Sequence, residues 1–256
     1  MKTVSIQGKE FSKVVLGTNA IYGRSHFSTA RDNEYAERCT DEYVKALIYK
    51  CVELGINTVE TSANERILKI VSELRSNPEI PLQLIASTRI DQTSAMKRHN
   101  EKFDFILEYK SDVCVIHSQF VDRPGTEHEI RGLKKLIDKI HAAGLIAGIS
   151  THKNSTVELC EKEEYGVDVY LFPLNNTGFV YPGYEGNETV ESRIELINRI
   201  QKPFVLMKAL AAGRIAPGDG LRFVLENSKP NDILSLGLSS IEEAEESIGI
   251  IRKFLN

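Results

Sequence analysis

Two hydrophobic periods alternate along this chain. In the stretch from Ala46 to Arg66, Val52 and Leu54 close an amphipathic helical pattern, Gly55 supplies a residue that enters the left-handed region at little cost, and Ile56 to Val59 reads as a buried parallel strand. The strand ends in Glu60, and Thr61, Ser62, Asn64, Glu65 and Arg66 follow at once. That is more polar chemistry than a strand-to-helix turn needs for capping alone.

The same unit recurs downstream. Period and Gly/Pro punctuation predict helices at 40–55, 65–76, 94–110, 128–144, 155–165, 189–201, 219–227 and 241–255, with strands at 56–61, 82–88, 112–117, 146–151, 167–173, 203–208 and 232–237. Val14 to Thr18 adds a first strand. Ahead of it, Val4-Ser5-Ile6 and a turn at Gly8-Lys9 predict a short hairpin, whereas residues 19–39 show no period and read as a long loop. Eight strand–helix pairs in 256 residues, with strands apolar nearly throughout, predict a single (β/α)8 TIM barrel with a short N-terminal hairpin, residues 1–256 forming one domain. No G-x-G-x-x-G follows the first strand, which argues against a doubly wound dinucleotide fold.

In such a barrel the functional face lies at the carboxyl ends of the strands. In order these ends carry Thr18 and Asn19; Glu60, Thr61 and Ser62; Thr88 and Arg89; His117, Ser118 and Gln119; Ser150, His152 and Lys153; Asn175 and Asn176; Lys208; and Ser239 and Ser240. Buried charge of this density needs a reason, and a small-molecule site supplies one.

Composition narrows the classes. A chain with 41% hydrophobic residues and a formal net charge of −4 lacks the basic footprint of a nucleic-acid or anionic-membrane binder. No apolar run is long enough to cross a bilayer, and the first residues form no secretion signal, so a cytoplasmic protein is expected, with a small-molecule substrate and neither nucleic acid nor membrane as partner. The oligomeric state stays open. Cys39, Cys51, Cys114 and Cys160 are widely spaced, and Cys51 and Cys114 read as buried apolar packing.

Several segments resemble the aldo-keto reductase superfamily: the Gly-Thr after the first strand, LGINTVETSANE, VCVIHSQ, the Gly-Ile-Ser of the fifth strand, LMKALAAGRI and ILSLGLSSIEEAEESI. The resemblance spans nearly the whole chain. It implies an NADP- or NAD-dependent carbonyl reductase built on Asp, Tyr, Lys and His, but only the His is matched, by His117. Glu60 stands where the resemblance implies Asp, Glu65 where it implies Tyr, and Arg89 where it implies Lys. A Glu beside an Arg is held ionised and is a poor proton donor, so Tyr22 in the long first loop is a substitute candidate, with lid packing as its plainer role. Coenzyme binding is expected to be weak. Ser239 and Ser240 could meet an adenosine phosphate, yet Ser240-Ile-Glu-Glu243 is also a capping box, and no basic residue lies between Lys229 and Arg252.

The remaining assignments each have a structural counterpart. Glu60 can pair with Arg89 or Lys208 instead of acting chemically. Lys208 shares the phase of Phe204 and Leu206, and if Val205 and Met207 meet the helices it points into the mouth as a cation or Schiff-base nucleophile. Glu60, His117 and His152 form an alternative metal set. Asn175 reads as a hydrogen-bonding residue for substrate or, as the resemblance implies, for a planar ring, and His26, His99, His128 and His141 read as solvated. The functions left open are an atypical reductase acting on a small polar or sugar-like carbonyl, a non-redox lyase, isomerase or hydrolase using Glu60, His117 and Lys208, and a catalytically silent barrel.

Overall fold

The chain opens with the expected hairpin, β1 (Thr3–Ile6) antiparallel to β2 (Lys9–Ser12), in the computed structural model, which describes residues 1–88, 103–123, 125–126 and 128–255. Its turn lies at Gln7-Gly8, one residue earlier than the sequence suggests, because both residues take positive φ (49° and 78°), the geometry that matches strand twist in a two-residue hairpin loop.

Eight parallel strands follow: β3 (Val14–Gly17), β4 (Thr58–Ser62), β5 (Gln83–Ser87), β6 (Val113–Ile116), β7 (Ile146–Ser150), β8 (Val169–Pro173), β9 (Phe204–Met207) and β10 (Ile233–Gly237). Each pairs with its neighbour in sequence, and β10 returns to β3 with Leu234 opposite Val14 and Gly237 opposite Gly17, closing the barrel. Buried Lys13 reinforces the closure by donating to the carbonyls of Lys229, Pro230 and Asp232 at 3.0, 3.2 and 2.6 Å.

The helices between the strands are α2 (Asp41–Glu53), α3 (Glu65–Arg75), α4 (described part 103–108), α5 (Ser118–Val121), α6 (Leu133–Ala142), α7 (Asn154–Lys162), α8 (Val190–Arg199), α9 (Pro217–Glu226) and α10 (Ile241–Leu255). Residues 94–102 of the expected 94–110 helix, His99 among them, lie outside the described residues. One helix was not expected. α1 (Thr29–Arg38) lies within 19–39, and because it buries none of its residues it carries no apolar stripe for a period to reveal.

Strand alternation sorts the core in two. Val15, Ile85, Val113, Val115, Ile146, Val169, Leu171, Val205 and Ile233 fill the barrel, while Val14, Leu16, Val59, Leu84, Cys114, Phe204 and Leu206 face the helices. The phase expected of β9 is therefore inverted: Val205 and Met207 line the interior, and Phe204 and Leu206 lie outside. Burial pushes the Cys51 and Cys114 thiols up to about 12, so both are inert packing as expected.

The hairpin plugs the amino-terminal end of the barrel, with Val4, Ile6 and Phe11 joining the interior cluster. Phe11 is fully buried there. Phe11→Ala is expected to cost about 3–5 kcal/mol in chemical denaturation, the usual effect of truncating a buried Phe. A loss below about 1 kcal/mol would show that the plug contributes little.

Candidate active site

With one end sealed, the barrel opens at the carboxyl ends of its strands into a cleft of about 430 Å³ floored by Leu171 and Met207. Asn19, Glu60, Ser62, Ser87, His117, Gln119, Ser150, His152, Lys153 and Lys208 line it, together with Arg24, His26, Asp122, Arg123, Tyr181 and Tyr184. The strand-end argument thus locates the cleft, and Glu60, His117 and Lys208 share it.

Lys208 arrives by a different route from the one its phase suggests. An extended residue after Met207 would point outward, but Lys208 has φ of +67°, so the chain turns and its side chain enters the cleft. Asn175 holds this turn: its amide donates to the carbonyl of Lys208 at 3.1 Å and of Phe179 at 2.8 Å, and its Oδ1 accepts from Thr177 and from the Phe179 amide at 3.0 Å. The Asn175 side chain is consumed by these bonds. It acts as a loop clamp and is absent from the cleft lining.

The partner of Lys208 is His152, and no ion pair joins it to Glu60 among the described residues. Lys208 Nζ lies 3.2 Å from His152 Nε2, and His152 Nδ1 faces Asp122 Oδ2 at 3.4 Å. Asp122 is itself fixed by the His152 amide (2.8 Å), the Thr156 hydroxyl (3.0 Å) and the Thr151 hydroxyl. Tyr181 packs edge-on to the His152 ring at 5.4 Å and lies under Lys208 Nζ at the same distance. Desolvation, aided by the nearby Arg193 charge, pulls Lys208 down to about 7 despite Asp122. Desolvation likewise lowers His152, which stays neutral near pH 7.

Glu60 stands on β4 with its side chain toward the interior. Ser235 donates to it at 3.3 Å, and desolvation pushes its carboxyl up to about 7. Arg89, its other expected partner, lies outside the described residues. His117 caps α5, its Nδ1 accepting from the Gln119 amide at 3.2 Å, so the neutral ring carries its proton on Nε2. Two polar atoms of the cleft wall, Ser87 Oγ and Gln119 Oε1, are buried without a hydrogen-bond partner among the described residues.

Other expected site residues lie elsewhere. Tyr22 hydrogen-bonds Thr61 and packs against the helix-facing core. Glu65 is exposed at the start of α3 and pairs with Lys69 at 2.7 Å, since the residue after an N-cap points to solvent here. Ser240 caps α10 by accepting from the Glu243 amide at 3.2 Å, and the Glu243 carboxylate returns to the Ser239 amide at 2.7 Å. The Ser239 hydroxyl is taken by Glu243 at 3.0 Å and by Arg38 at 2.6 Å, a cation from α1 that local sequence could not supply. Among the described residues no three His, Cys, Asp or Glu side chains could hold a metal ion, so Glu60, His117 and His152 do not converge as that alternative requires. His26, read as solvated, lines the cleft, whereas His141 pairs with Asp168 at 2.8 Å. Asp122, Arg24, Arg123, Tyr181 and Tyr184 were missed. Asp122 follows a four-residue helix with no apolar period, and the tyrosines sit on a long loop.

No family model and no curated protein matches the sequence. Solved structures do match. The glycerol dehydrogenase of Gluconobacter oxydans is 14% identical over 97% of this chain and 89% of its own, with a TM-score of 0.66. An aldo-keto reductase of Bacillus halodurans is 12% identical over 98% and 91%, with a TM-score of 0.65. An N-acetylmannosamine-6-phosphate 2-epimerase of Clostridium perfringens is 16% identical over 96% and 93%, with a TM-score of 0.56. This chain therefore has the barrel fold seen in aldo-keto reductases. Among the described residues no helix is long and apolar enough to cross a membrane.

The residues that the resemblance implies for a nicotinamide coenzyme are already engaged. Asn175, Ser239 and Ser240, which would hold it, already spend their polar atoms on a loop clamp, Arg38 and a helix cap.

Glu60 titrates near 7 when folded and near 4.5 when free, so its burial costs stability as pH rises from 4.5 to 7 and costs nothing below that window. Glu60→Gln is expected to be more stable than the parent by up to about 3 kcal/mol at pH 8 and indistinguishable from it at pH 4. Melting temperatures across pH measure this. Equal stability at pH 8 would show that the folded carboxylate is already compensated.

Proposed function

We propose that this chain, as one barrel domain over residues 1–256, is a divergent enzyme of the aldo-keto reductase type acting on the carbonyl of a small, polar, sugar-like substrate, and that it works by proton transfer. One observation carries the reading: a carboxyl and an amine, Glu60 and Lys208, line one cleft and are both brought to about 7 by desolvation. Such groups exchange protons with substrate at neutral pH. In this scheme His117 donates from Nε2 to the carbonyl oxygen, Lys208 activates the carbonyl, and Glu60 moves the proton on the adjacent carbon. Ser87 and Gln119 offer unpartnered polar atoms to substrate hydroxyls.

Charge refines the substrate. Arg24, Arg123 and Lys153 line the cleft and make no salt bridge among the described residues, although the whole chain is net acidic at −4. A cation-rimmed cleft draws anions, so a phosphorylated or carboxylated carbonyl compound suits it best. The fold likeness to a sugar-phosphate epimerase supports a non-redox reaction on this type of scaffold. The likeness to a glycerol dehydrogenase and an aldo-keto reductase favours carbonyl oxidoreduction as the second reading. Four buried free thiols suit a reducing cytoplasm.

Incubation with a panel of phosphorylated and unphosphorylated ketoses and aldoses in deuterated water, followed by proton NMR, tests the proposal. Deuterium incorporation next to the carbonyl of a phosphorylated member is expected without coenzyme. The rate should fall at least a hundredfold in Lys208→Ala and in His117→Ala. Turnover that occurs only with NADPH or NADH oxidation would overturn proton transfer in favour of the second reading.

Side-by-side fluorescence titration of NADPH and NADH at physiological salt is expected to show weak binding of both. NADPH should be the weaker, because Glu242, Glu243, Glu245 and Glu246 crowd the start of α10. Sub-micromolar NADPH binding would restore the hydride-transfer reading.

A further inference from the structure

We propose that Lys208 forms a covalent imine with the substrate carbonyl, with the Asp122–His152 pair as its proton relay. The inference rests on the carbonyl-directed reading above and deepens it: Lys208 activates the carbonyl by bonding to its carbon rather than by charge alone.

The geometry supplies what an amine nucleophile needs. Nζ lies within the cleft, where an electrophilic carbon can reach it, and the floor around it is made of Leu171 and Met207. Its backbone is held in a left-handed turn by the Asn175 clamp, an arrangement that is unfavourable for a non-glycine residue and persists only where the surroundings impose it. The proton acceptor is in place 3.2 Å away at His152 Nε2, and Asp122, fixed by Thr151, Thr156 and the His152 amide, orients the ring from the other side.

Every charged or titratable group packed about Lys208 bears on its protonation. Asp122 favours the ammonium, whereas Arg193 opposes it from α8. Arg193 is only 2% exposed and meets Glu188 Oε2 at 3.7 Å, its only ion pair among the described residues. Tyr184 holds Glu188 through a 2.7 Å hydrogen bond, and Tyr181 remains a neutral ring beneath Nζ. The balance, with burial as the largest contribution, leaves a large fraction of Lys208 as free amine at pH 7.

The step balances without a redox partner. The Nζ lone pair forms the C–N bond as the carbonyl π pair moves to oxygen. Proton transfer from nitrogen to oxygen by way of His152 Nε2 gives the neutral carbinolamine. His152 takes the second nitrogen proton and delivers it to the hydroxyl, which leaves as water, so amine and carbonyl become imine and water. Taking up a proton from solvent on nitrogen, the imine becomes an iminium, a stronger electron sink than the carbonyl, which eases loss of the neighbouring proton to Glu60.

The test is reductive trapping. The full chain is incubated at pH 7 with dihydroxyacetone phosphate, and separately with dihydroxyacetone, in the presence of cyanoborohydride, and intact mass and peptide mapping locate the adduct. A single adduct on Lys208 is expected, forming at least tenfold faster than on surface lysines, faster with the phosphorylated probe, and with a half-point near pH 7. Arg193→Met is expected to move that half-point upward. Lys208→Arg retains a cation and cannot form the imine, so it should lose both adduct and turnover while its circular dichroism stays that of the parent. Adducts confined to surface lysines, or turnover in Lys208→Arg within tenfold of the parent, would overturn the imine. Deuterium exchange surviving in Lys208→Arg would leave the proton-transfer reading standing, whereas a Lys208 adduct without any deuterium exchange would support the imine and remove that reading.

Discussion

Desolvation at the open end of the barrel is the interaction on which the site depends. The strands converge there and the hairpin closes the far end, so side chains that would be ordinary ions on a helix surface are partly cut off from water. A carboxylate and an ammonium placed in contact would simply neutralise each other. Glu60 and Lys208 are instead kept on separate partners, Ser235 and His152, so each bears its own desolvation and both are brought to about 7. The cost is borne by the fold: the apolar layers of the barrel and its helix-facing shell stabilise a chain that carries poorly compensated charge at one end.

Much of the fold was legible because strand and helix periods follow from burial. Parallel strands covered on both faces must be apolar, and the helices outside them must show a stripe. Where burial is absent the signal is absent too, which is why α1 passed as loop. The site was legible to the extent that strand ends determine it. Glu60, His117, His152 and Lys208 follow from counting strands, but Lys208 was reached by a phase argument that the structure inverts. Two deviations cancelled, an inverted strand phase and a left-handed residue beyond the strand end, and no local pattern distinguishes that from a residue simply in phase.

Asn175, Ser239 and Ser240 have their internal partners for one physical reason. Each carries a group that suits a ligand equally well and is taken up inside the protein, because an unpaired buried amide or hydroxyl is expensive. Asn175 is held to Lys208 and Ser239 to Arg38 through tertiary structure, whereas Ser240 caps its own helix, as the local capping box allows. Asp122 escaped notice for the converse reason. Its importance lies in fixing His152, and nothing in the few residues around it announces a histidine thirty positions away.

The hairpin plug also bears on the order of assembly. Gln7 bonds Asp168 at 2.8 Å and Lys9 pairs with Asp112 at 2.9 Å, while the Lys13 ammonium grips carbonyls of residues 229, 230 and 232. The first residues of the chain therefore find their partners only when strands drawn from its middle and its end already stand side by side. Loop-closure entropy disfavours such contacts early, so the seal is expected to form near the end of folding and to be among the first features lost on unfolding. On that expectation the lifetime of the closed barrel is governed from the end opposite the cleft, and altering the hairpin changes the unfolding rate while the cleft is left as it is.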